Sequence, residues 1–206
     1  MRKNFGSNPF MYPMPVLIIG SYNEDGTANA MNAAWGGISA QNKITICVSP
    51  GHKTMENIKA KKAFTVSMAD ADHVVEADFV GVVSGNNVDN KLDKAGLHTY
   101  KSELVDAPII EEFPFTLECK LISYDDDSKL LFGEIVNVSA DEKIIDENGK
   151  VDLAKFRPIT FDPVGHGYHV VGEKVGNAFS DGNKLKYIHN TKMSCLIDSS
   201  FKLSKK

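Results

Sequence analysis

Two long segments of alternating apolar and polar residues, joined by a short acidic turn, restrict the folds open to this chain. Between Phe115 and Tyr124 the larger apolar side chains fall on every second residue, which is the period of a strand with one buried face. The turn Asp125–Ser128 follows, and Lys129–Ala140 continues as a second long strand. Strands joined by so short a turn pair antiparallel. We therefore expect a fold built around antiparallel sheet.

Further strands and helices are predicted outside this hairpin. Asn23–Gly26 is typical of a hairpin turn because Gly26 can take the positive φ that such a turn needs. The predicted strands are Pro15–Tyr22, Thr27–Ala34, Lys43–Ser49, Ala63–Met68 and Tyr168–Val171, and the predicted helices are 52–62, 70–81, 89–96 and 151–156. This pattern predicts a mainly β fold with helical additions, of the α+β class: a β-barrel of antiparallel strands. Neither GxGxxG after the first strand nor GxxxxGK[ST] occurs, so no Rossmann or P-loop site is expected.

Composition and charge narrow the function classes. A chain of 206 residues with 42% hydrophobic residues suits one domain with a sizeable core. Lys and Arg number 23 against 27 Asp and Glu, which gives a net charge of −4 and argues against nucleic-acid binding. No apolar leader follows Arg2 and Lys3, and Val16–Ile19 is too short to cross a bilayer. We expect no membrane association and a cytoplasmic location.

The three cysteines, Cys47, Cys119 and Cys195, lie far apart and show no metal-site spacing. Cys47 and Cys119 fall in alternating apolar segments, so we expect buried, reduced thiols and no metal site. No Ser/His/Asp or Cys/His order indicates a nucleophilic set. No catalytic side chain is predicted.

The loop Ser49–Thr54, between a predicted strand and a predicted helix, carries the strongest chemical signal. A helix start exposes free backbone N–H groups at the positive end of the helix dipole, and together they bind anions. Lys53 adds a cation and Thr54 a hydroxyl group. An ordinary strand-to-helix turn with Thr54 as its N-cap fits the same residues equally well.

Asn32 and Trp35 flank Ala33 and Ala34 at the end of a strand rich in small residues. A flavin ring needs a flat apolar support and a few hydrogen bonds to its pyrimidine edge. Trp35 could supply the first and Asn32 the second. A tryptophan in the core explains the same segment.

Lys91 and Tyr168 are two further binding candidates. Lys91, in a predicted helix, could reach a phosphate or the N1/O2 edge of a flavin, although a solvated helix lysine is the commoner outcome. Tyr168 follows the glycine-bracketed turn Pro163–Gly167. It could close over a ligand or lie half packed beside a surface loop.

Several motifs occur in one order along the chain. They are Tyr12–Val16, Asp25–Asn29, Asn32–Trp35, Lys53–Ile58, Phe64–Ser67, Asn90–Leu92 near Gly96 and Leu97, Leu131–Val136, and Pro163–Gly172. In this order they resemble the flavin reductase-like family, whose fold is the FMN-binding split barrel, and within it the flavoredoxins. Leu130 and Leu131 depart from that pattern, because relatives often carry histidine there.

The resemblance implies a split-barrel domain over 1–186 and a homodimer that holds FMN near the subunit interface. The implied cofactor-binding residues are Asn32, Ala33, Ala34 and Trp35 for the ring, Ser49, His52, Lys53, Thr54 and Asn57 around the phosphate, and Lys91 and Tyr168 nearby. The segment 187–206 matches nothing in the family. We expect it to be disordered or to pack on the partner subunit.

The resemblance also implies an NAD(P)H:flavin oxidoreductase in which FMN carries the redox chemistry. NAD(P)H or a redox protein would be the reaction partner. The alternative is a non-catalytic flavin-binding electron carrier. A pyridoxamine-phosphate oxidase-like enzyme ranks lower, because Arg2 and Arg157 are the only arginines and such a site needs more of them.

Overall fold

The structure, a computed structural model, describes residues 1–186 and consists mainly of antiparallel sheet. Its strands are β1 Met14–Pro15, β2 Leu17–Tyr22, β3 Ala28–Ala33, β4 Gly36–Ala40, β5 Lys43–Cys47, β6 Ala63–Met68, β7 Thr99–Lys101, β8 Pro108–Ile110, β9 Phe115–Asp125, β10 Leu130–Ala140, β11 Ile159–Asp162 and β12 Gly167–Val170. Its α-helices are α1 Lys53–Lys61, α2 Val74–Val82, α3 Lys91–Ala95 and α4 Leu153–Phe156, and short 3₁₀ helices span Glu142–Ile144 and Asp181–Asn183. The chain divides into a unit of Met1–Val171, which holds all of these strands, and a unit that begins at Gly172.

Seven strands form the main sheet in the order β3-β2-β6-β9-β10-β5-β4, and each neighbouring pair is antiparallel. The two edge strands, β3 and β4, are consecutive in the chain and only Ala34 and Trp35 separate them. Because two residues must connect the two edges, the sheet curls round on itself into a half-barrel. The edges do not pair with each other, so the barrel stays open along that line. The predicted fold class is confirmed.

The long hairpin of β9 and β10 supplies much of this curvature. Its register shifts between Phe132 and Gly133 and again between Ile135 and Asn137, and such bulges bend a strand and increase its twist. At Gly133 a Cβ atom would lie 2.4 Å from the ring of Phe64. Only a glycine lets β10 pass this close to the buried ring.

The core lies on both faces of β2, which explains the unbroken apolar run in that segment. Leu17 and Ile19 face a first cluster, to which α1 contributes Met55 and Ile58, both fully buried. The opposite face of β2 joins a second cluster with α2 and α3. The two clusters fix α1 and α2 on the sheet beside β3. Within residues 1–186, no helix has the length and apolar character needed to cross a membrane.

Five strands have no separate prediction: β1, whose second residue falls within the predicted strand Pro15–Tyr22, and β4, β7, β8 and β11. β4 begins with two glycines and has no alternating pattern, while β7 and β8 have three residues each. The prediction of Thr54 as N-cap is wrong, because the helix begins at Lys53 and His52, two residues before Thr54, occupies the cap position. The predicted tail, 187–206, lies outside the described residues, and the domain boundary at 186 stays a prediction.

Candidate functional site

Two adjoining cavities, of about 150 and 240 Å³, form a groove along β3, which we call the β3 groove. They share Asn32 and Gly81 as lining residues. The first cavity is lined by Asn29, Met31, Asn32, His52, Lys53, Thr54, Val80, Gly81, Val82, Val83, Ser84, Gly85 and Lys91, and the second by Asn32, Ala33, Ala34, Asp78, Gly81, Phe161 and Tyr168. Each cavity alone is smaller than typical small-molecule sites, which span roughly 300–1,000 Å³. Joined, they reach that range and suit an elongated ligand.

The start of α1 forms one end of the β3 groove. No side chain caps this helix at His52. The Met55 amide donates to His52 O at 2.9 Å, so within residues 1–186 the amides of Lys53 and Thr54 remain free for a ligand. Lys53 Nζ lies 2.9 Å from Glu56 Oε1, a partly exposed pair that contributes little and can open. Thr54 is buried beside them. This end of the groove has the backbone donors and the cation of an anion-binding site.

Asn29 contributes a buried amide to the same cavity. Its side chain is 3% exposed, and its Nδ2 donates to Thr54 Oγ1 at 3.2 Å. Its Oδ1 has no hydrogen-bond partner among the residues that the structure describes. An unpaired buried acceptor is rare in native proteins, and this one lies in the wall of a cavity.

Lys91 brings a buried positive charge to the groove. Its ammonium donates to the carbonyl oxygens of Ala30, at 2.7 Å, and Val80, at 2.8 Å. Within residues 1–186 it forms an ion pair with no carboxylate. Burial lowers the pKa of Lys91 to about 8. The alternative of a solvated lysine is wrong, because the side chain crosses from α3 to β3 and α2.

The second cavity is shaped by small residues and closed by a tyrosine. Ala33 and Ala34 present little side chain, so a flat group can approach the backbone of β3. Tyr168 is half-buried and its hydroxyl donates to Asp78 Oδ1 at 2.8 Å. Burial and this bond raise the pKa of Tyr168 to about 12, which keeps the phenol neutral at physiological pH. Asn32 Nδ2 donates to Ala77 O at 3.0 Å and fixes α2 against β3.

Three of the residues predicted to bind the cofactor line neither cavity. Trp35 is 54% exposed, so the alternative of a core tryptophan is wrong. Ser49 is exposed, and its carbonyl oxygen accepts from the His52 amide at 3.2 Å. Asn57 is buried and binds its neighbours in the fold, donating to Ser21 Oγ at 3.2 Å and Asn23 Oδ1 at 2.8 Å. The other eight predicted residues line the β3 groove: Asn32, Ala33, Ala34, His52, Lys53, Thr54, Lys91 and Tyr168.

The sequence prediction misses Asn29 and the glycines Gly81 and Gly85. At Gly85 a Cβ atom would lie 2.7 Å from Asn29 Oδ1, so a glycine is needed for the loop to pass the amide. Strand periodicity contains the signal for Asn29, because residues 29, 31 and 33 of one strand lie on one face. The glycines carry no comparable signal, since their role depends on packing between α2, its following loop and β3.

In comparisons with known proteins, the family model of the flavin reductase like domain matches residues 10–159. The chain belongs to the flavin reductase-like family. The matched segment contains the whole main sheet, α1, α2, α3 and the first cavity of the β3 groove. It ends before Tyr168.

Three solved structures of this family or fold are similar to the chain. Flavoredoxin of Desulfovibrio vulgaris (Miyazaki F) is 36% identical with a TM-score of 0.85, over 88% of this chain and 100% of that chain. Flavoredoxin from Methanosarcina acetivorans is 30% identical with a TM-score of 0.79, over 90% and 99%. An FMN-binding domain of a flavin reductase-like enzyme from Shewanella baltica OS155 shares the fold, with 23% identity and a TM-score of 0.70 over 79% and 88%. These similarities identify the curled half-barrel as the split-barrel fold.

Proposed function

We propose that this protein is an FMN-binding flavoprotein of the flavin reductase and flavoredoxin type that transfers reducing equivalents through the bound flavin. The β3 groove carries the proposal, because it joins an anion site, a buried cation and a wall of small residues in one elongated space. The unpaired oxygen of Asn29 indicates that this space is built for a polar ligand. The names of the similar proteins, two flavoredoxins and an FMN-binding domain, support the choice of cofactor.

Different residues of the groove would bind different parts of FMN at its two ends. At the first cavity, the free amides of α1 and the Lys53 ammonium would hold the phosphate. At the second, Ala33 and Ala34 would let the flat ring approach β3, and Tyr168 would close that end. Lys91 would place a positive charge beside the cofactor. Bound FMN would supply the redox chemistry by exchanging hydride or electrons at its isoalloxazine ring.

The proposed hydride source is NAD(P)H, which makes the protein an NAD(P)H:flavin oxidoreductase. Hydride transfer to a flavin needs no acid or base from the protein, and no catalytic side chain is assigned here. The alternative is an electron carrier that exchanges electrons with a redox protein and does not react with NAD(P)H. Two of the similar structures, at 30% identity or more, are flavoredoxins by name, and this supports the alternative of an electron carrier.

Visible absorption of the purified full-length protein tests the cofactor. We expect a yellow protein, or a colourless one that takes up added FMN stoichiometrically. Mass spectrometry of the cofactor released on denaturation should identify FMN. A colourless protein that also fails to bind added FMN would refute the proposal.

Anaerobic titration with NADH and with NADPH separates the enzyme from the carrier. Bleaching of the bound flavin within seconds by either nucleotide supports the oxidoreductase. A flavin that resists both nucleotides but is reduced by dithionite supports the carrier. Light scattering tests the proposed homodimer, for which we expect twice the chain mass of 22.6 kDa.

A further inference from the structure

Asn29 holds a polar atom that no described residue satisfies. The side chain is 3% exposed, and its nitrogen donates a hydrogen bond to Thr54 Oγ1. The side-chain oxygen, Oδ1, has no donor among residues 1–186. A buried amide oxygen without a hydrogen-bond donor is unfavourable, so such groups in native proteins are normally paired. The arrangement calls for a donor from outside residues 1–186.

The position of this oxygen is fixed from two sides. The bond to Thr54 ties the amide to the first turn of α1. On the other side the backbone of Gly85 comes so close that a Cβ there would lie 2.7 Å from Oδ1. Asn29 therefore keeps one orientation, and it lines both the first cavity and a neighbouring cavity of about 700 Å³. A ligand in the first cavity must bring its donor to that point.

The chemistry of the oxygen restricts which part of FMN lies beside it. An amide oxygen only accepts hydrogen bonds, and an ionised phosphate has no proton to donate. Along β3, Asn29 lies about 13 Å from Ala33, since strands rise about 3.3 Å per residue. The ring end of the groove is therefore distant, and the nearest donors to the phosphate in FMN are the hydroxyl groups of the ribityl chain.

We propose that Asn29 is a flavin-binding residue whose side-chain oxygen accepts a hydrogen bond from a ribityl hydroxyl group. This assignment rests on the proposed function, because it takes FMN as the occupant of the β3 groove. It assigns the polyol chain to the part of the groove between α1 and the small residues of β3. Asn29 then contributes to recognition of any flavin that carries a ribityl chain, with or without the phosphate.

Three flavins that differ in one part each test this assignment by fluorescence titration. Lumiflavin has the ring alone, riboflavin adds the ribityl chain, and FMN adds the phosphate. In Asn29→Ala we expect riboflavin and FMN to bind about tenfold more weakly, by the same factor, since one hydrogen bond is lost. Lumiflavin affinity should be unchanged.

Other patterns of loss would overturn the assignment. Loss of FMN affinity alone would mean that the amide is turned, with its nitrogen facing the phosphate. Equal loss for all three flavins would mean that Asn29 only supports the fold. No loss for any flavin would mean that a water molecule satisfies the oxygen.

Asn137→Ala is the matched control. Asn137 is a half-buried asparagine whose side chain donates to Glu118 Oε1, and it does not line the β3 groove. We expect it to lower the melting temperature and leave all three affinities unchanged. If Asn29→Ala does not fold, the wild-type protein still tests the assignment. Riboflavin should bind the wild type at least tenfold more tightly than lumiflavin does, and equal affinities of the two flavins would overturn the assignment. Wild-type protein that binds none of the flavins would refute the proposed function itself.

Discussion

The ammonium of Lys91 donates to the backbone oxygen of Ala30 at 2.7 Å, and it also donates to Val80 O at 2.8 Å. These two bonds hold a positive charge inside the protein, and within residues 1–186 that charge has no carboxylate partner. Isolated buried charges are costly, so the residue must serve the fold or a ligand. Within residues 1–186 these two carbonyl bonds use two of the three ammonium donors, and Lys91 lines the cavity that begins at α1.

The pH dependence of stability should reveal this buried lysine. Its pKa is about 8 in the folded protein and 10.5 when exposed, so between these values the unfolded chain binds more protons and stability rises with pH. Relative to Lys91→Met, the wild type should gain up to about 2 kcal/mol in free energy of unfolding between about pH 7.5 and about pH 10. Denaturant unfolding of both proteins measures the difference.

Lys94→Met is the control for this experiment, because Lys94 lies on the same helix and is exposed. Its free energy of unfolding should follow that of the wild type across the same pH range. A wild-type curve parallel to that of Lys91→Met would contradict the buried charge.

The cation at the start of α1 should act on the phosphate alone. In Lys53→Met we expect FMN to bind about fivefold more weakly, equivalent to about 1 kcal/mol for a partly exposed charge, and riboflavin to bind as before. The FMN effect should shrink at high salt. Lys59→Met, in the last turn of the same helix, should change neither affinity. An equal loss of affinity for FMN and riboflavin would mean that Lys53 does not act on the phosphate.

The close approach of β10 to Phe64 should make Gly133 intolerant of any side chain. In Gly133→Ala the new Cβ would lie 2.4 Å from the buried ring, so we expect a loss of about 1–3 kcal/mol in free energy of unfolding. Gly37 lies in the same sheet with no atom within 4 Å of the corresponding position. Gly37→Ala should therefore unfold like the wild type in urea, and equal stability of the two variants would contradict the packing.

Cys119 should resist thiol reagents until the protein unfolds. It is fully buried, and burial raises its pKa to about 12, so almost no thiolate is present at neutral pH. Cys47 is half-buried and should react first of the two. Peptide mapping after iodoacetamide treatment, with and without denaturant, measures both. Labelling of Cys119 in the native protein at the rate of Cys47 would contradict this expectation.

The fold was predictable where local pattern and tertiary structure agree. The alternation in Phe115–Tyr124 and the acidic turn after it give the β9–β10 hairpin, and Asp125 Oδ1 accepts from the amides of Asp127 and Ser128 as such a turn requires. β4 was not predictable, because Gly36 and Gly37 carry no strand signal. It becomes a strand only by pairing with β5 at the edge of the curled sheet.

The site was predictable in its types of residue but not in its geometry. Lys53 and Thr54 were found because a helix start after a strand is an anion-binding pattern. The sequence predicts Lys91 as a binding residue but does not predict that its side chain is buried, since no local signal distinguishes a lysine that crosses to β3 from one in solvent. Asn57 shares a motif with Lys53, but lies on the helix face that meets Ser21 and Asn23.

The walls of the β3 groove come from four stretches of chain, within 29–34, 52–54, 78–91 and 161–168. An occupant touches all four at once and so ties the first strands to the last. Unfolding separates these stretches and must release the occupant. The melting temperature should therefore rise with ligand concentration. At a ligand concentration 100 times the dissociation constant, binding adds about 2.7 kcal/mol to the free energy of unfolding. In the cell, the lifetime of the folded chain would then depend on how much of its ligand is available.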